Sequence, residues 1–194
     1  EFRRVLFRSD KSPELVRRAN DALAEVCRKH PARFPTFIAS LPMNNVEASV
    51  AEADRAVREL GARGAQVFTN VAGKPLSDRE FRPVFQRMAA HDLGVWVHPM
   101  RTAHFSDYAS EKESQNEIWF SFGWPYETTA CMTRLIYSGL LDELPHLKIV
   151  SHHMGGMIPY FAGKIKLGFR QIFAGPNGRN PRSEEHTSEL QSRG

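Results

Sequence analysis

Two histidine positions carry the chemical interest of this sequence. Val95-Trp-Val-His98-Pro99 is a short apolar run closed by an imidazole and a proline, and Ile149-Val-Ser-His-His153-Met-Gly-Gly156 is a second, closed by a histidine pair and a glycine pair. Both runs read as strands. In parallel β/α folds the groups that do chemistry gather at the C-terminal ends of strands, where the connecting loops open a cleft. An imidazole placed there can bind a metal ion or move a proton near neutral pH. Pro99 ends the first strand at once, and Gly155-Gly156 allow a sharp turn or a close approach of backbone to a ligand. On residue types alone a second reading stands beside this one, in which each imidazole is a buried or rim group satisfied by a backbone carbonyl. Catalytic zinc normally takes three protein ligands and a water, and the residues show only one or two. Strand alternation sends neighbouring side chains to opposite faces, so only one of His152 and His153 is expected to face the cleft.

The remaining reactive residues weigh less. His30 and His146 sit beside prolines, His91 lies at a predicted helix end where cations are favoured, and His104 falls in a polar connection on the presumed open side. Arg101 has the fork geometry to clamp a substrate carboxylate, or is a solvated loop arginine. Trp96, Trp119, Phe120, Phe122 and Trp124 either line an aromatic pocket or pack a core. Ser151 lacks a G-x-S-x-G setting, and Cys27 and Cys131 have neither a CxxC partner nor an evident base. Serine or cysteine hydrolysis, a disulfide framework and a thiolate zinc site are therefore not indicated.

The elements that must position these residues alternate. Ser12-Pro13 reads as a helix start with Leu15, Ala19, Leu23 and Val26 on its apolar face, ended by His30-Pro31. Phe34 to Leu41 reads as a buried strand; Asn44-Asn45 opens a helix with Val46, Val50, Ala53, Val57 and Leu60, and Gly61 stops it. A strand over 65–69, a capping-box start at Ser77-Asp-Arg-Glu80 and a stripe of Phe81, Val84, Phe85 and Met88 follow. Then come the strand ending in His98, a long polar connection over 99–125, a helix over 126–138 closed by Gly139, the strand over 148–152, and a helix carrying Ile158, Phe161, Ile165, Phe169 and Ile172. Strands alternating with helices imply an α/β fold with parallel pairing. A complete (β/α)8 barrel needs about 250 residues, so four such units make an open sheet or about half a barrel. No G-x-G-x-x-G or P-loop follows any strand, which disfavours a nucleotide-binding sheet.

The 194 residues are 41% hydrophobic and 25% charged, with a formal net charge of +4, a profile that excludes disordered and fibrous classes. The basic residues form no stripe or cluster, so no nucleic-acid partner is expected. No apolar run approaches a membrane span of roughly 18 residues and no signal segment is evident, so no membrane partner and a cytoplasmic location are expected.

The two ends have a separate origin in this reading. Residues 1–9 (EFRRVLFRS) and 182–190 (RSEEHTSEL) are antisense to each other codon by codon: GAG for Glu1 is the reverse complement of CTC for Leu190, and GTG for Val5 of CAC for His186. Natural tails have no reason to be related in this way. The segments resemble a sequencing-library adapter translated in its two orientations. Residues 1–9 and 182–194 are therefore set aside as adapter-like, leaving 10–181 as the protein segment.

That segment resembles a known family. PARFPTFIASLPM, ELGARGAQVFTNVAGKPL, VWVHPM, FGWPYETT and LDELPHLKIVSHHMGGMIPYFAGKI, in this order, are similar to the amidohydrolase-related proteins typified by aminocarboxymuconate semialdehyde decarboxylase. The resemblance implies a (β/α)8 barrel with a divalent metal, usually zinc, at its C-terminal mouth, and makes the strands here the third to sixth. By position His98 matches a metal ligand after the fifth strand. His153 matches the sixth-strand histidine, taken in the decarboxylases as the base acting on metal-bound water. The family's H-x-H pair on the first strand and its aspartate after the eighth have no counterpart here, so the chain reads as an internal fragment whose remaining ligands are absent. The implied activity is decarboxylation of an unsaturated or aromatic small-molecule carboxylate by the parent enzyme. A metal-dependent hydrolase or hydratase is the alternative, and a non-catalytic α/β module with structural histidines is the reading from another class. A homodimeric parent stays open. The fragment alone is expected to be inactive and poorly stable, because half a barrel leaves sheet edges and apolar faces without partners.

Overall fold

The computed structural model describes residues 11–173, with side chains as far as 170. Residues 1–9 and 182–194, expected to be adapter-like, lie outside the described residues. Helices α1 (Ser12–Lys29), α2 (Val46–Arg58), α3 (Arg82–Ala90), α4 (Ile118–Ser121), α5 (Gly123–Tyr137), α6 (Leu140–Glu143) and α7 (Ile158–Phe173) alternate with strands β1 (Ala39–Ser40), β2 (Gly64–Phe68), β5 (Gly94–His98) and β6 (Lys148–Ser151). A hairpin of β3 (Asn70–Val71) and β4 (Lys74–Pro75) is inserted after β2. The main sheet runs β1-β2-β5-β6, with β1 parallel to β2 and β2 parallel to β5 in a register that places Gly64 opposite Gly94 and Phe68 opposite His98. This is the α/β architecture expected, with half the strands of an eight-stranded barrel.

The chain divides into two compact units. The first comprises 11–98 and 138–150 of the described residues, and the second 99–137 and 151–173.

In the first unit the sheet is buried by small and branched side chains. Ala39, Ala65, Val67, Val95 and Val97 are at most 2% exposed, and the expected α3 stripe of Phe81, Val84, Phe85 and Met88 is equally buried. Asn45 caps α2 as its position suggests, its Oδ1 accepting from the Ala48 N–H at 3.0 Å, and Gly61 beyond the helix has φ +78. Arg82 donates to the Ser138 carbonyl at 2.9 Å and pairs with Glu143, tying α3 to the segment that leads into β6.

Several expectations shift by a residue or more. Lys11 rather than Ser12 precedes α1, and the Ser12 hydroxyl donates instead to Asn44 Oδ1 at 2.6 Å. The buried face of α1 is Ser12, Val16 and Asn20, while Leu23 and Val26 are exposed. The reason is a polar network: Asn20 donates to Glu52 at 2.8 Å and to the Ser40 carbonyl at 3.0 Å, and Arg55 donates to both Glu52 oxygens at 2.8 Å. A paired carboxylate can enter a core from which an isolated one is excluded, and apolar periodicity does not register it. Those bonds, Glu52's foremost, raise the Arg55 pKa against the opposing cost of its partial burial. The buried residues of α2 are likewise Ser49, Glu52, Ala53 and Ala56.

The strand expected over 34–41 shortens to Ala39–Ser40, and a 3-10 turn at Arg79–Phe81 displaces the capping box from the start of α3. The β3-β4 hairpin turns on Ala72 (φ +51) and Gly73 (φ +84), a two-residue loop in the left-handed region that matches strand twist. β6 lies at the sheet edge and exposes Val150. Among the described residues no helix is long and apolar enough to cross a membrane.

Trp96 packs over two glycines. A Cβ on Gly64 would lie 2.2 Å from Trp96 Cζ3 and 2.8 Å from the Gly94 carbonyl oxygen. Gly64→Ala is therefore expected to cost about 1–3 kcal/mol through overpacking, read as a lower urea midpoint and an altered Trp96 fluorescence; an unchanged midpoint would contradict this packing. Burial foremost pushes the Cys131 thiol up to about 12, whereas Cys27 is half-buried. Thiolate is the reactive form, so at pH 8 alkylation with mass mapping should modify Cys27 well before Cys131, and equal rates would contradict the burial.

Candidate functional site

His98 is the last residue of β5. Val95 and Val97 point into the core, so alternation places Trp96 and His98 on the opposite face, both half-buried. The His98 carbonyl accepts from the Thr69 N–H at 3.0 Å, which carries the β2-β5 pairing one residue past β2. Its ring meets Phe68 edge-on, with centroids 5.9 Å apart and planes at 87°. Pro99 is buried and closes the strand as expected.

The chain leaves β6 differently. His152 is extended (φ −69, ψ 165), and the next four residues all have positive φ: His153 54, Met154 55, Gly155 79 and Gly156 64. The left-handed region costs a non-glycine residue about 1–2 kcal/mol, and such conformations persist where the surroundings over-determine them. The second unit supplies that constraint. A Cβ on Gly156 would lie 2.5 Å from the Pro125 carbonyl oxygen and 3.0 Å from Thr129 Oγ1. The Thr129 hydroxyl donates to the Pro125 carbonyl at 2.7 Å and accepts from the Met157 N–H at 2.8 Å. The Gly123-Trp-Pro-Tyr-Glu-Thr-Thr129 start of α5 and the His153-Met-Gly-Gly156 turn thus interlock through one threonine and one glycine.

This turn removes the basis on which strand alternation is expected to turn one histidine away from the cleft. The pleat ends at Ser151, so it does not sort the side chains of His152 and His153. His152 is half-buried and His153 exposed, with ring centroids 6.1 Å apart.

Aromatic side chains back the His153 ring. Trp124 lies 5.4 Å from it and packs on Phe120 at 4.8 Å and Trp119 at 5.9 Å, while Trp124 Nε1 donates to the Arg101 carbonyl at 3.0 Å. Of the aromatics singled out by type, Trp119, Phe120 and Trp124 form this cluster, Trp96 packs in the first unit, and Phe122 is 66% exposed. The long connection is anchored by buried Ser114, which donates to Asp107 at 2.6 Å and accepts from the Trp119 N–H at 2.9 Å. The other histidines take no part: His91 lies 2.7 Å from Asp54, and His30, His104 and His146 are exposed. The raised Cys131 pKa removes that thiol as a nucleophile. The Thr129 lock went unread because a threonine inside a helical pattern carries no signal of its long-range partner.

Residues 2–174 match the amidohydrolase family. The chain belongs to that family. Among curated amidohydrolase relatives, 2-amino-3-carboxymuconate-6-semialdehyde decarboxylase of Dictyostelium discoideum is 33% identical over 174 residues, covering 87% of this chain and 46% of its own. Gamma-resorcylate decarboxylase of Polaromonas sp. is 38% identical over 166 residues, covering 81% and 49%. The chain thus spans about half the length of the curated relatives it matches. The solved 2,6-dihydroxybenzoate decarboxylase from Rhizobium superposes with a TM-score of 0.79 at 28% identity, over 94% of this chain and 58% of that one. A dihydroxybenzoic acid decarboxylase from Polaromonas sp. JS666, solved with manganese and the inhibitor 2-nitroresorcinol, gives 0.74 at 31% identity, over 90% and 54%. The family resemblance carried by the sequence is borne out.

Gly156→Ala is expected to cost at least about 2 kcal/mol, since it adds both a clash and a left-handed alanine. Thr129→Val removes two hydrogen bonds at roughly 1 kcal/mol each, and Thr129→Ser should restore most of the loss. Urea denaturation followed by tryptophan fluorescence reads all three; a neutral Gly156→Ala would contradict the interlock.

Proposed function

We propose that this amidohydrolase segment, residues 10–181, belongs to a metal-dependent carboxy-lyase that removes carbon dioxide from an aromatic or unsaturated carboxylate. The observation that carries the reading is a pair of neighbouring strands in one sheet, β5 ending in His98 and β6 followed at once by His152 and His153, in a chain whose matched relatives bear decarboxylase names.

His98 is assigned as a metal ligand. Its half-buried imidazole, at the end of a strand whose other face is sealed by Val95 and Val97, suits a divalent ion of borderline softness. The coarse assignment is a divalent metal. Manganese in the Polaromonas relative supports that class, and the imidazole donor makes zinc the finer choice. Such an ion supplies Lewis acidity when bound.

His153 is assigned the proton. Loss of carbon dioxide breaks a carbon–carbon bond and leaves its electron pair on the substrate carbon, where a proton must arrive. An imidazole can hold and release that proton near neutral pH. The locked turn fixes the backbone of His153, and Trp124 packs at 5.4 Å from its ring, so its orientation is set before substrate enters.

The test uses the parent gene recovered with its flanking sequence. Release of labelled carbon dioxide from carboxyl-labelled aromatic acids, 2,6-dihydroxybenzoate first, is expected to vanish on chelation and return with zinc or manganese. His153→Ala is expected to lose at least 100-fold in kcat, on the scale of general acid–base catalysis. Full decarboxylation after metal removal would contradict the proposal, and water addition or hydrolysis without carbon dioxide would replace it with the hydrolase or hydratase reading. The 194-residue chain alone is expected to show no turnover under the same conditions.

A further inference from the structure

Arg101 is a cation with no carboxylate partner among the described residues. It lies in the connection after β5, within the unit that holds His153, and is half-buried. Three contacts fix it. Its carbonyl accepts from Trp124 Nε1 at 3.0 Å, its guanidinium carbon stands 5.3 Å from the centre of the Phe105 ring, and its Cδ and Nε occupy the space that a side chain on Gly123 would fill, 2.6 and 2.8 Å from an ideal Cβ there.

The charge is held but not matched. Among the described residues no carboxylate pairs with Arg101, and its Nε is buried without a hydrogen-bond partner. A buried N–H without a partner costs about 1–3 kcal/mol, and a guanidinium presents donors in a planar fork that fits a carboxylate in two parallel bonds. The buried Nε sets this side chain apart from a fully solvated surface arginine. Trp124 joins the two features, bonded to the Arg101 backbone on one side and packed against His153 on the other.

We propose that Arg101 binds the carboxylate of the substrate, with Trp124 setting its place relative to His153. The inference rests on the reading that the substrate is a carboxylic acid. It assigns to Arg101 binding and orientation, so the guanidinium takes no part in bond breaking.

The experiment titrates benzoate, and benzamide as its neutral counterpart, into the metal-free parent protein with a chelator present throughout, followed by tryptophan fluorescence. Saturable benzoate binding is expected, weakened at least tenfold in Arg101→Gln and less in Arg101→Lys, which keeps the charge without the fork. Benzamide affinity is expected to be equal in all three proteins. The inference is overturned if the unaltered chain shows no saturable benzoate binding, if Arg101→Gln binds benzoate as well as the unaltered chain, or if benzamide loses affinity in parallel. Because no metal and no turnover enter the readout, the outcomes separate from those of the proposed activity. Carbon dioxide release by the parent beside unaltered benzoate affinity in Arg101→Gln sinks this inference alone, and Arg101-dependent binding without carbon dioxide release sinks the activity alone.

Discussion

The contact of Gly156 with the first turn of α5 is the constraint on which the second unit depends. A backbone that stays in the left-handed region for four residues does not hold itself; two of the four, His153 and Met154, have side chains that disfavour it. It is held because Gly156 seats on the Pro125 carbonyl and Thr129 bonds both sides of the join. The same contact sets the backbone from which the His153 imidazole projects. Strain at a turn beside a reactive side chain is a device for fixing that side chain without burying it, and His153 is indeed exposed.

The first unit does a different task with different means. Its sheet is packed by alanine, valine and two glycines that admit Trp96, and it delivers His98 at the end of a strand whose alternate residues are sealed in the core. Catalytic groups on strand ends draw precision from the rigidity of the sheet, whereas those on turns need local locks. His98 stands on an element of the first kind and His153 on one of the second.

Much of this was legible from residue types. The α3 stripe of Phe81, Val84, Phe85 and Met88, the caps at Asn45 and Gly139, and β5 with its terminal histidine follow from periodicity and turn chemistry. What was missed shares one cause: long-range polar partners. Asn20 and Glu52 are buried because they satisfy each other and Arg55, so the faces of α1 and α2 turn away from their apolar positions. Alternation likewise applied to Val95 through His98 and lapsed at His152, because the turn after Ser151 is set by Thr129 and Pro125, more than twenty residues earlier. Arg101 has an ordinary loop context in sequence, and only Gly123 and Phe105 distinguish it.

His98 and His153 are proposed as working groups and not structural ones. Calorimetric titration of zinc into the metal-free parent protein, compared with its His98→Ala variant, tests that claim most directly. One tight site per chain is predicted, weakened at least 100-fold by the substitution while the fold is retained. Absence of a tight site, or a site indifferent to His98, would contradict it.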